Sequence, residues 1–291
     1  MRDDDLRPSD NIDDRRGTGG GGLNLGRGGL GIGTIFVLGL IGWALGINPA
    51  ILINGAQMIA GGDSSSTSQP SQGSTGAPDD RMGRFVARIL GETEDVWSQV
   101  LPEQANRNYR KPILVLFSGA TGSACGLARS AMGPFYCPED QKVYLDTSFF
   151  QDMQRRMGGG GDFAYAYVIA HEVGHHVQNL LGVLSQAQGM ERDRASANAI
   201  SVRTELMADC FAGVWANWMN QRHANIDDSD VRQAINTAAA IGDDRLQRQS
   251  QGVVIPDSFT HGSAAQRVRW LTIGLRSGNI RSCDTFGAQG L

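Results

Sequence analysis

From Gly28 to Gly62 the chain carries no charged side chain. Within that window GLGIGTIFVLGLIGWALGI, Gly29 to Ile47, matches the length of about 20 residues that a helix needs to cross a bilayer's hydrocarbon core. Asn48-Pro49 ends it, because proline removes a backbone donor and cannot continue the helix. Apolar Ile51, Leu52 and Ile53 extend the run. A secretory signal peptide is disfavoured by the long charged region ahead, and a buried core helix by the polar stretch behind. The sequence therefore predicts one transmembrane helix with its flank over residues 28–53.

That segment divides the chain. Residues 1–27, MRDDDLRPSDNIDDRRGTGGGGLNLGR, are charged and then glycine-rich, with little apolar surface, and predict a disordered tail. Five arginines precede the span, and no Lys or Arg occurs between Gly28 and Asp80, so the positive-inside rule places the tail in the cytoplasm. Gly61 to Asp80, GGDSSSTSQPSQGSTGAPDD, has the composition of a flexible linker, assigned to residues 54–80. Residues 81–291 then form the folded domain outside the cytoplasmic membrane, ample for one buried core. A net charge of -4 without a basic block argues against a nucleic-acid partner.

All four cysteines, Cys125, Cys137, Cys210 and Cys283, follow the predicted span, as expected of an exported, disulfide-permissive compartment. Three pairings are possible. Cys125 with Cys137, stapling a short segment across a turn, and Cys210 with Cys283, tying the C-terminal tail to a helix, is the favoured one.

Helices are predicted over Arg84 to Val100, Phe163 to Leu181 (with Asp162 as N-cap and Gly182 as stop), Arg194 to Met219, Asp230 to Gln249, and Ser263 to Leu275. PILVLF, Pro112 to Phe117, and KVYLD, Lys142 to Asp146, read as strands, the second paired with Pro134 to Cys137 across a PEDQ turn. KVYLD is also a candidate edge strand for an extended peptide. Helices outnumber strands and are segregated from them, which gives an α+β domain, mainly helical with a small sheet.

The chemistry lies in HEVGH, residues 171–175. On a helix, residues four apart share a face, so His171 and His175 can direct two imidazoles at one ion while Glu172 lies beside them. Catalytic zinc takes three protein ligands and keeps a position for water, so a third ligand must come from elsewhere. ELMAD, residues 205–209, supplies Glu205 and Asp209, again four apart, on a following helix that can pack antiparallel. One carboxylate could bind metal; the other could accept the free N–H of a ligating histidine. The order HExxH then E-x-x-x-D resembles glutamate-type zinc peptidases, and it assigns Glu205 as the ligand and Asp209 as the carboxylate behind a histidine. One Zn2+ per chain is expected, with Glu172 moving the proton in amide hydrolysis. His261, in FTHGSAAQR, is a candidate donor to the oxyanion or, alternatively, a loop residue that orders a helix start. His176 and His223 are read as lying outside the site. Phe211, Val214, Trp215 and Trp218 are read as core, and Tyr165 and Tyr167 as packing.

SDNIDDRRG, GPFYCPEDQKVYLD, AYVIAHEVGHHVQN, ELMADCFAGVWA and FTHGSAAQRVRW jointly resemble the bacterial neutral zinc metallopeptidases, single-span proteins with a short charged cytoplasmic tail. The resemblance implies a zincin-like domain, zinc as the metal, and peptidase activity. The resulting expectation is a single-pass protein of the bacterial cytoplasmic (inner) membrane, touching the lipid bilayer through one N-terminal helix and cutting extracytoplasmic polypeptides. Two other readings are a non-catalytic, zinc-stabilised interaction module at the membrane and a hydrolase of small amides. Glu172 separates catalysis from a structural site, which closes its fourth position and has no use for a carboxylate beside it.

Overall fold

Apolar runs of two different periods build the scaffold around HEVGH. The computed structural model describes residues 1–16, 74–75, 78–156 and 160–291. The predicted transmembrane helix and flank, residues 28–53, lies outside the described residues, as does most of the 54–80 linker. Among the described residues no helix is long and apolar enough to cross a membrane.

The strands are β1 (Ile12–Asp14), β2 (Ser74–Thr75), β3 (Ile113–Phe117), β4 (Ala120–Ser123), β5 (Gly126–Arg129), β6 (Phe135–Cys137) and β7 (Lys142–Asp146). Five of them form a sheet in the order β2-β1-β3-β7-β6, and β4 and β5 make a separate hairpin. β1, β3 and β7 run parallel, while β2 and β6 are antiparallel to their neighbours. β3 is a continuous apolar run because both its faces are covered. Leu114 and Leu116 enter the main core under the helices, whereas Val115 and Phe117 join Tyr144, Ala128 and Cys137 on the other face. β7 lies between β3 and β6, so KVYLD is not an edge strand. β6 holds the outer position instead, paired with β7 as the PEDQ turn predicts.

The helices are α1 (Arg81–Ala105), α2 (Ser148–Arg156), α3 (Asp162–Leu180), α4 (Val183–Met190), α5 (Arg194–His223), α6 (Asp228–Ala240), α7 (Asp243–Gln251) and α8 (Ala264–Ser277). The domain is α+β and mainly helical, as expected. Ser263 caps α8, its side chain accepting from Gln266 N–H. Asp162 is the first residue of α3 and Gly161 its cap, so the acidic side chain acts on the helix dipole from the first turn. The helix predicted over 230–249 is two helices, α6 and α7. Gly242 interrupts it because its backbone touches the start of α8, where a Cβ would come 2.3 Å from Ala264 N. Both disulfides form as favoured, Cys125–Cys137 and Cys210–Cys283.

The expectation of a disordered tail over 1–27 is wrong for residues 1–16, which belong to the same compact unit as residues 73–291; residues 17–27 lie outside the described ones. Leu6, Ser9 and Ile12 are buried, and β1 sits inside the sheet. Ser9 N–H donates to Ala87 O at 2.8 Å. A Cβ at Gly91 of α1 would lie 2.1 Å from Arg7 O, so the tail rests directly on the helix backbone. Its charges are matched by partners: Arg7 with Glu94 and Asp95, Arg16 with Asp14 and Asp80, and Asp3 with Arg88. Polar pairing, more than apolar burial, orders the segment.

Candidate metal centre

α3 and α5 meet where Gly174 removes a side chain, its missing Cβ lying 3.1 Å from Ala208 O. This close approach brings HEVGH against ELMAD. The ring centroids of His171 and His175 are 4.9 Å apart. Glu205 of α5 faces both: Oε2 is 3.1 Å from His171 Nε2, and Oε1 is 3.4 Å from His175 Nε2. The three donor atoms lie within 4.8 Å of one another, the group among the described residues that could hold a metal ion.

The other ring nitrogens are already engaged. His171 Nδ1 lies 2.9 Å from Asp209 Oδ1, and His175 Nδ1 lies 2.9 Å from Gln178 Oε1. A carboxylate and an amide oxygen only accept, so both Nδ1 atoms carry a proton, and both Nε2 atoms face the Glu205 carboxylate. Gln178 is itself fixed, its amide donating to Thr204 O at 2.6 Å. Asp209 is wholly buried and receives two bonds from Arg267, Nε to Oδ2 and Nη2 to Oδ1, both 2.9 Å. The Tyr167 hydroxyl donates to Asp209 Oδ1 at 2.5 Å. Burial pushes the Asp209 pKa up, but the Arg267 charge and the bond from His171 outweigh it and hold the carboxyl below its ordinary range. Burial also lowers the affinity of His171 for a proton, yet Asp209 and Glu205 together raise its pKa to about 10.

Glu172 is 8 % exposed, and no hydrogen bond or ion pair ties its carboxylate to a described residue. Three carboxylates, Glu172, Glu205 and Asp209, thus stand in the site against one guanidinium, Arg267. The donor set of two imidazoles and a carboxylate, with this excess of negative charge, fits a borderline-soft divalent cation such as zinc.

His261 stands on the loop between α7 and α8. Asp243 Oδ2 accepts the main-chain N–H groups of Thr260, His261 and Gly262 at 2.8, 2.7 and 3.1 Å, and Oδ1 lies 3.3 Å from His261 Nδ1. Loss of solvent lowers the His261 pKa, but the Asp243 bond and the charge of Glu205 raise it overall. The His261 side chain is half exposed.

The remaining histidines lie elsewhere. His176 is buried beside Tyr109 and Tyr136, with Nε2 2.6 Å from Arg110 O, and burial takes its pKa down to about 4. His223 pairs with Glu92. Phe211, Val214 and Trp215 are core, Trp218 is half-buried and donates to Gly278 O, and Tyr165 stacks on Phe150. Tyr167 is more than packing, since its hydroxyl holds Asp209.

Sequence reasoning did not assign Gln178, Arg267, Tyr167 or Asp243. Two had a usable signal: Gln178 is three residues after His175 and Tyr167 four before His171, each one turn away on the same helix. Arg267 and Asp243 come from other elements, and no spacing points to them.

The chain matches, over residues 1–286, the family model described as "Putative neutral zinc metallopeptidase". It is 43% identical over 297 residues to YpfJ of Escherichia coli K12, described as uncharacterized, with 99% of each chain covered. It is 46% identical over 232 residues to Rv2575 of Mycobacterium tuberculosis H37Rv, also described as uncharacterized, with 76% of each chain covered. No solved structure matches this chain.

Proposed function

This chain belongs to the neutral zinc metallopeptidase family, and from that footing we propose that it hydrolyses peptide bonds of extracytoplasmic polypeptides, with one zinc ion held by His171, His175 and Glu205. The observation that carries the reading is the convergence of two Nε2 atoms on the Glu205 carboxylate, with both Nδ1 atoms held by fixed acceptors. Zinc bound there supplies Lewis acidity, polarising a carbonyl and lowering the pKa of water.

The chain's own groups supply the rest. Glu172, without a hydrogen-bond or ion-pair partner among the described residues, takes the proton of the attacking water and passes it to the leaving amine. Asp209, gripped by Arg267 and Tyr167, holds the His171 ring and its tautomer. Gln178 does the same for His175. His261, steadied by Asp243, donates to the negative oxygen that develops on the substrate. The uncharged stretch from Gly28 supports attachment to the bacterial cytoplasmic membrane, and the two disulfides support an oxidising compartment for the domain.

The test is metal dependence. The full chain in detergent is stripped with a chelator and assayed on a mixed peptide library before and after stoichiometric zinc. Cleavage that disappears and returns with about one zinc per chain is the expected result. Cleavage indifferent to the chelator contradicts the proposal.

A further inference from the structure

β1 and β2 are antiparallel neighbours, with Asp14 opposite Ser74. The chain between them, which contains the whole uncharged stretch, therefore leaves and rejoins the domain across one strand spacing, about 5 Å.

The N-terminal side of this stem is part of the fold. Ile12, Asp13 and Asp14 pair with Leu114, Val115 and Leu116 of β3, and Arg15 N–H donates to Leu116 O at 2.8 Å. Glu94 of α1, its side chain 0% exposed, accepts from Ser9 Oγ, Asn11 Nδ2 and Arg7 Nη2, and pairs with Lys111. Removing residues 1–16 would uncover one side of β3, expose Leu6 and Ile12, and leave the buried Glu94 with Lys111 alone. A buried carboxylate stripped of most of its partners is among the costliest defects a fold can carry. The segment therefore stays with the domain.

A connection whose two ends are fixed to one body crosses a membrane an even number of times. One crossing is excluded by the stem. Two full crossings need about 40 apolar residues and a turn, and the uncharged window from Gly28 to Gly62 is shorter than that and interrupted by Asn48-Pro49. We propose that the N-terminal segment and the metal centre lie on the same face of the membrane, and that the apolar stretch meets the lipid bilayer from that face and returns to it. The protein is then anchored as a monotopic enzyme, in place of a single pass with its ends on opposite sides. The arginines ahead of the stretch do not mark the opposite compartment, because Arg7 and Arg16 are bound to carboxylates of the folded domain. The inference rests on the reading of Gly28 to Gly62 as a lipid-contacting segment.

The test uses the full chain in its host membrane. All four native cysteines are in disulfides, so Asp10→Cys and, separately, Glu103→Cys, both at exposed positions, give single free thiols. Each variant is treated with a membrane-impermeant maleimide in intact spheroplasts and after permeabilisation. The proposal expects the two sites to agree, both labelled before permeabilisation or both only after it. One site labelled in intact spheroplasts and the other only after permeabilisation overturns it. Carbonate washing of the same membranes checks the underlying reading: retention supports lipid contact, and recovery of the chain in the soluble fraction defeats lipid contact whatever the labels show.

Discussion

The Nδ1 atom of His171 lies 2.9 Å from Oδ1 of Asp209, a carboxylate held from behind by both Nε and Nη2 of Arg267. Asp209 thus links His171 of α3 to Arg267 of α8 and holds the imidazole by Nδ1, with Nε2 turned towards Glu205. Asp209→Asn keeps the shape and removes the charge. Metal affinity should fall about 10- to 100-fold, as for other partners behind a ligating histidine, and stability should fall as well, because Arg267 loses its buried anionic partner. Competition with a metal chelator measures it, and unchanged affinity would remove Asp209 from this role.

Arg267→Met breaks the same buried pair from the other side. It leaves Asp209 buried without its cationic partner, a defect worth about 3–5 kcal/mol. Thermal unfolding should show a large loss of stability alongside weaker metal binding. If Arg267→Met melts like the wild type, the buried pair contributes nothing.

His261→Phe should retain metal and lose turnover. Loss of one donor to a developing oxyanion costs about 100- to 1,000-fold in kcat. Asp243→Asn weakens the support of the Thr260 to Gly262 main chain and should move activity in the same direction by less. Equal kcat values for wild type and His261→Phe would return this histidine to a loop role.

The parts legible in the sequence were those in which one element repeats its own spacing. HEVGH and ELMAD announce themselves because residues four apart share a helical face, and ILVLF reads as a strand because both faces are covered. The tail did not read as structured. IDD in β1 is too short to show a period, and its order comes from polar partners such as Glu94 and Asp80, distant in sequence. The break between α6 and α7 is a contact effect, the start of α8 touching Gly242, so local pattern favoured one helix. Arg267 and Asp243 act through tertiary contacts that no spacing encodes.

Gly91→Ala tests the docked tail. Alanine in place of a helix glycine gains about 1 kcal/mol of propensity, yet its Cβ would sit 2.1 Å from Arg7 O. Overpacking against a backbone costs about 1–3 kcal/mol, so the balance should be destabilising, with faster proteolysis in residues 1–16. A more stable Gly91→Ala variant would show that the tail does not press on the helix.

Acid should loosen the same contact. Burial raises the Glu94 pKa, but hydrogen bonds from Ser9, Asn11, Arg7 and Lys111 outweigh it and hold the carboxyl below its ordinary 4.5. The stabilisation is therefore full above that ordinary value and is lost as pH falls through the depressed folded one. Asp95, which shares Arg7, and Lys111 complete the charges around it. Stability measured downward from pH 5 should fall less steeply in Glu94→Gln than in the wild type. Parallel curves would contradict this.

The most direct measurement compares wild type and Glu172→Gln in the full chain, reading zinc content and peptide cleavage on the same samples. One zinc per chain in both and cleavage by the wild type alone is the expected result. A folded wild type that binds no zinc, or a Glu172→Gln variant that cleaves as fast as the wild type, would contradict it.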